Sequence, residues 1–110
     1  MSDWYILDEN KKPVLSDLIA ANHWMNDVNQ RVGYTELSED LNVSTVFLGL
    51  DHKMTGSPGQ PVLFETMIFG GEHNEYCWRY YTWDEAEEGH KRVVKCLQNG
   101  ADPNDNRNEI

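Results

Sequence analysis

Ser44-Thr45-Val46-Phe47-Leu48-Gly49-Leu50-Asp51-His52 and Pro61-Val62-Leu63-Phe64-Glu65-Thr66-Met67-Ile68-Phe69-Gly70-Gly71 decide the fold of this chain. Both runs are rich in β-branched and aromatic residues, and the stretch between them, 52–61, holds Gly56, Pro58 and Gly59. That pattern predicts two strands folding back on one another across a long loop. In the first run Ser44, Val46, Leu48 and Leu50 share one face, and Thr45, Phe47 and Asp51 share the other. Apolar bulk on both faces predicts an interior strand.

Outward from this centre, Tyr34–Leu37 reads as a strand, Ser38–Asp40 as a turn, Gly70–Asn74 as the next turn and Tyr76–Tyr81 as a further strand. Tyr76, Trp78 and Tyr80 fall on one face of that strand. Thr82-Trp83-Asp84-Glu85 matches a capping box and opens a helix. Its buried stripe is Ala86, His90, Val93, Val94 and Leu97, and Asn99-Gly100 ends it. Towards the N-terminus, Trp4–Leu7 predicts a short strand that Pro13 closes off. A helix is predicted over 16–31, capped by Ser16, with Leu18, Ala21, Met25, Val28 and Val32 on one face and Gly33 as its stop. The order β-α-β-β-β-β-α implies an α+β fold: an antiparallel meander of four to five strands with both helices on one sheet face. Residues 1–100 are expected to form one domain and 101–110 a frayed tail.

The 110 residues include four Trp, five Tyr and three Phe, enough aromatic area for a core. Nineteen acids against nine Lys plus Arg give a net charge of −10. A field of that sign disfavours direct binding to nucleic acid or to an anionic membrane and favours a basic protein partner. Cys77 and Cys96 lie in no metal-ligand or redox spacing and read as small buried hydrophobes. With no leader-like segment and no long apolar run, a cytoplasmic setting fits.

Asp51-His52, at the end of a central strand, is the first candidate for chemistry. A carboxylate beside an imidazole suits acid/base work or metal ligation, with Glu65 as a further catalytic candidate and His90 as a further ligand. Against this, Asp51 can cap loop amides, Glu65 can pair with Arg79 across the 70–75 hairpin, and His90 can be a hydrogen-bonded core residue. Gly89 beside it suggests close approach of the helix to the sheet. Phosphate-cradling loops, nucleophile elbows and paired-cysteine zinc spacings are absent from the sequence, and nothing in it calls for a cofactor.

The runs S-T-V-F-L-G-L-D-H, P-V-L-F-E-T-M-I-F-G-G and R-Y-Y-T-W-D-E-A-E-E-G-H resemble a group of small phage and prophage proteins to which no activity is assigned. The resemblance spans about residues 31–95. It implies a viral accessory protein acting in the cytoplasm of an infected bacterium, and it brings no catalytic residues with it. The expected function is therefore binding. A host or anti-phage defence protein with a basic surface would be inhibited through Glu72, Glu75, Asp84, Glu85, Glu87 and Glu88, by imitation of a nucleic acid's phosphates. The same acids also read as a solvated helix start. The rivals are a small metal-dependent enzyme and a homodimeric structural or assembly protein using Trp78, Tyr80 or the N-terminal strand.

Overall fold

The structure, a computed structural model, describes residues 3–25, 31–51 and 59–104. Its elements are β1 (Trp4–Leu7), β2 (Pro13–Ser16), α1 (Leu18–Met25), β3 (Arg31–Ser38), β4 (Leu41–Phe47), β5 (Phe64–Phe69), β6 (Cys77–Tyr80) and α2 (Trp83–Gln98). The last four strands form one antiparallel sheet in the order β3-β4-β5-β6, and β1 and β2 form a separate hairpin. This is an α+β fold.

The decisive pair is laddered from Asn42↔Phe69 to Phe47↔Phe64, so the two central runs do fold back on each other. Alternation then sorts their side chains. Val43, Thr45 and Phe47 of β4 and Phe64, Thr66 and Ile68 of β5 are buried on one face. On that face α2 lies across all four strands. Two apolar clusters result. One gathers Leu7, Phe47, Leu63, Phe64 and Ala86, with Trp24 and Trp83 against it; the other gathers Val43, Ile68 and Val93. Ring contacts Trp24–Phe47 (5.6 Å), Phe47–Phe64 (5.3 Å) and Phe64–Trp83 (6.4 Å) tie α1, the sheet and α2 together.

The second helix begins as its sequence demands. The Thr82 side chain accepts from the Glu85 amide at 3.1 Å, and Glu85 Oε1 accepts from the Thr82 amide at 3.1 Å. The N-terminal third of the chain differs from expectation. The helix occupies Leu18–Met25, and by Arg31 the chain is already in a strand. Asp17, not Ser16, caps it: its carboxylate accepts from the Ala20 amide at 2.8 Å. Ser16 instead ends β2, a strand that Pro13 opens rather than forbids. Proline is tolerated at the first position of an edge strand, where its missing N–H has no ladder to break. Gly33 is no helix stop; it pairs with Thr45 inside the sheet.

One further correction concerns an edge of the sheet. Cys77 is exposed on β6, an edge strand, while Cys96 is partly buried; both are free thiols. Pro103 is fully buried, and its carbonyl accepts from Arg92 Nη1 at 2.8 Å. Residues 105–110 lie outside the described part of the chain.

Candidate functional site

His90 stands at the middle of α2, between the two apolar clusters, and is 9% exposed. Its ring lies over Gly33: a Cβ built there would sit 3.1 Å from the ring carbons, so a glycine in β3 provides room for the imidazole. Both ring nitrogens are bonded. Nε2 meets Thr35 Oγ1 at 2.9 Å, and Nδ1 meets Thr45 Oγ1 at 2.7 Å. Thr45 Oγ1 in turn meets Thr66 Oγ1 at 2.6 Å, and the Tyr80 hydroxyl donates to Thr66 at 3.0 Å. One side chain from each of β3, β4, β5 and β6 thus joins the helix in a single polar layer.

Tyr80 donates to Thr66. Two arrangements of the remaining protons satisfy the chain: Thr66 to Thr45 to Nδ1 with the ring proton on Nε2, or Nδ1–H to Thr45 to Thr66 with Thr35 donating to Nε2. Burial pushes the His90 pKa down, which favours the neutral ring. Burial also pushes the Tyr80 phenol up, opposed by its bond to Thr66 and by the Arg92 cation. No buried side-chain nitrogen or oxygen among the described residues lacks a partner. A network in which every buried polar atom has a partner fixes a geometry.

The sequence candidates for chemistry do not converge. Asp51 lies beyond the end of β4, where its Oδ1 accepts from the Val62 amide at 2.9 Å and holds the returning chain. His52 falls outside the described residues. Glu65 is opposite Arg79 in the ladder, and Arg79 Nε donates to its Oε2 at 2.9 Å. Partly exposed cross-strand pairs of this type are worth about 0.2–1 kcal/mol. Glu65 and Thr66 are neighbours on one strand, so Glu65 faces away from the His90 layer. Among the described residues no group of three or more His, Cys, Asp or Glu is placed to hold a metal ion.

The acids are also redistributed. Asp84, Glu85, Glu87 and Glu88 are exposed at the start of α2, whereas Glu72 and Glu75 sit in the β5–β6 turn. Because α2 runs back antiparallel to β6, that turn lies beside the other end of the helix, where His73 Nε2 is 3.7 Å from Asp102. A helix of sixteen residues is about 24 Å long, so one run in sequence becomes two patches in space. Glu85 is occupied by the capping box. Glu88 pairs loosely with Lys91 at 3.9 Å. No cation among the described residues pairs with Asp84 or Glu87. Lys11 and Lys12 border Asp84 across a cleft of about 220 Å³, and Lys11 Nζ lies 5.0 Å from the Trp83 ring centre.

Comparison with models of known families, with characterised proteins and with solved structures gives no match.

The threonines are what sequence reasoning missed. Thr45 and Thr66 stand between Val43 and Phe47 and between Phe64 and Ile68, at the alternate positions that face α2. A threonine flanked by buried apolar residues two places either side, opposite a histidine on an apolar helix stripe, was the available signal. Trp78 and Tyr80, candidates for a dimer surface, lie under α2 instead, with the Arg92 guanidinium 5.4 Å from the Trp78 ring. No helix among the described residues is long and apolar enough to cross a membrane.

Proposed function

We propose that this chain is a small acidic phage accessory protein that acts by binding. Its target is a host or anti-phage defence protein with a basic surface, in the cytoplasm of the infected bacterium. The supporting observation is the outer side of α2, where Asp84, Glu87 and Glu88 stand exposed on a helix capped at its start and bonded through His90 to the sheet beneath. Carboxylates held on a rigid element can imitate a row of phosphates, and the net charge of −10 steers a basic partner toward them. The resemblance to phage proteins supplies the setting.

Simultaneous Asp84→Lys, Glu87→Lys and Glu88→Lys substitution tests this reading. The wild-type protein is expected to capture a specific host protein from bacterial lysate, identified by mass spectrometry, with capture weakening as salt is added. The triple variant, shown to be folded by circular dichroism, loses capture at least about tenfold. Reversal of Glu72 and Glu75 leaves it intact, because those acids lie at the far end of the helix. Equal capture by the wild-type protein and the α2 triple variant, with the same salt dependence, would contradict the proposal.

A further inference from the structure

We propose that the outer edge of β2 is a self-association site, where a second copy of this chain adds antiparallel, β2 against β2, about a two-fold axis through Leu15. The segment is apolar and uncovered to an unusual degree. Within six residues, Val14 is 43% exposed, Leu15 64%, Leu18 50% and Ile19 83%. Aliphatic exposure this dense along one segment marks an interaction surface rather than a solvated face.

The backbone specifies how a partner would sit. On the inner side β1 is already engaged at both edges: it pairs with β2, it bridges to Leu50 through Trp4, and the Tyr5 amide donates to Gly49 at 2.7 Å. The open edge of the hairpin is therefore β2. The bond from the Asp8 amide to the Lys12 carbonyl (2.9 Å) sets the phase of the ladder. Residues 12, 14 and 16 direct their main-chain groups at β1, so Pro13 and Leu15 direct theirs outward. An antiparallel copy centred on Leu15 satisfies this inventory. Each Leu15 N–H meets the other copy's Leu15 carbonyl. Pro13, which has no N–H, lies opposite Asp17 of the second copy. The Asp17 carbonyl needs no donor there, since it accepts from the Ala21 amide at 2.9 Å within its own helix.

Charge agrees with the antiparallel sense. Lys11 and Lys12 precede β2 and Asp17 follows it, so pairing sets the cationic end of each strand beside the anionic end of the other. The edges of the large sheet carry charge: β3 is broken by two register shifts and carries Arg31 and Glu36, and β6 carries Arg79. Pro13–Ser16 holds no charge, and its one edge-blunting residue, Pro13, stands at the first position of the strand. The inference stands apart from the proposed host target, which engages α2.

Sedimentation velocity across about 1 µM to about 1 mM protein tests it. The wild-type chain is expected to pass from a 12.8 kDa monomer to a dimer. Leu15→Lys and Ile19→Glu each raise the dissociation constant at least about tenfold. Leu15→Pro removes the outward N–H together with the leucine side chain and does the same, while the main-chain groups of residues 14 and 16 that face β1 are kept. Phe69→Glu, on the helix-free face of the large sheet, changes nothing. A strict monomer over the whole range overturns the proposal. So does a dimer indifferent to the Leu15 and Ile19 changes, or one lost only with Phe69→Glu.

Discussion

Gly70→Ala is expected to destabilise the fold by about 3–4 kcal/mol, the largest single-residue effect outside the apolar clusters. Two costs act together. Gly70 has φ +95°, where an L side chain is strained, and a Cβ there would lie 1.7 Å from the Asp40 carbonyl oxygen and 2.8 Å from its carbon. The obstacle is backbone, so no rotamer relieves it. The β3–β4 and β5–β6 turns must separate, and the bond from the Gly70 amide to Asn74 Oδ1 (2.7 Å) is put at risk. Gly100→Ala supplies the control. Its φ is +71° with nothing within 4 Å, so it should cost only the conformational part, about 1 kcal/mol. Urea unfolding of the two variants measures the difference. Equal losses would mean that the turn-to-turn approach carries no weight.

Gly89→Ala should lower stability by about 2 kcal/mol, against the ordinary trend. Alanine in a helix interior normally gains about 1 kcal/mol over glycine. Here the added Cβ would stand 2.1 Å from the Tyr80 hydroxyl and 2.3 Å from Cζ, so the phenol must leave. That withdraws the donor at the head of the Thr66–Thr45–His90 chain. A double-mutant cycle makes the test sharp, because the sign should invert. In a Tyr80→Ala background the clash is gone, and Gly89→Ala becomes stabilising by up to about 1 kcal/mol. If Gly89→Ala stabilises the wild-type chain, the helix does not sit as close to the sheet as described.

Much of this could be read from residue order because the signals were local. The capping box at Thr82 and Glu85, the ladder partner of Glu65, the burial of His90 and the close approach at Gly89 each follow from spacing of a few residues or from one hairpin register. The misreadings share a different cause. Leu18, Ala21, Met25, Val28 and Val32 continue a helical period past the point where the chain turns into β3, so the pattern makes Gly33 a helix stop although it lies inside a strand. Its true role, making room for an imidazole 57 residues later in sequence, leaves no local trace. Thr35, Thr45 and Thr66 look like ordinary strand formers until α2 brings His90 over them. Likewise the acids of residues 72–88 are neighbours in sequence, but the antiparallel return of α2 carries them to opposite ends of the helix.

His90 clamps α2 to the sheet as a neutral ring bonded at both nitrogens. The sign of the pH effect follows from its depressed pKa. Above the ordinary histidine value of about 6.5 the ring is neutral whether the chain is folded or not. As pH falls below that, the unfolded chain takes up a proton that the folded chain refuses. The stability contributed by the clamp is then lost progressively toward the folded-state pKa. Nitrogen-15 NMR of the ring across this range is the direct measurement. The account predicts a ring protonated on one nitrogen only at neutral pH and a titration midpoint below about 6.5. A ring that titrates at or above the ordinary value while the protein stays folded would contradict it.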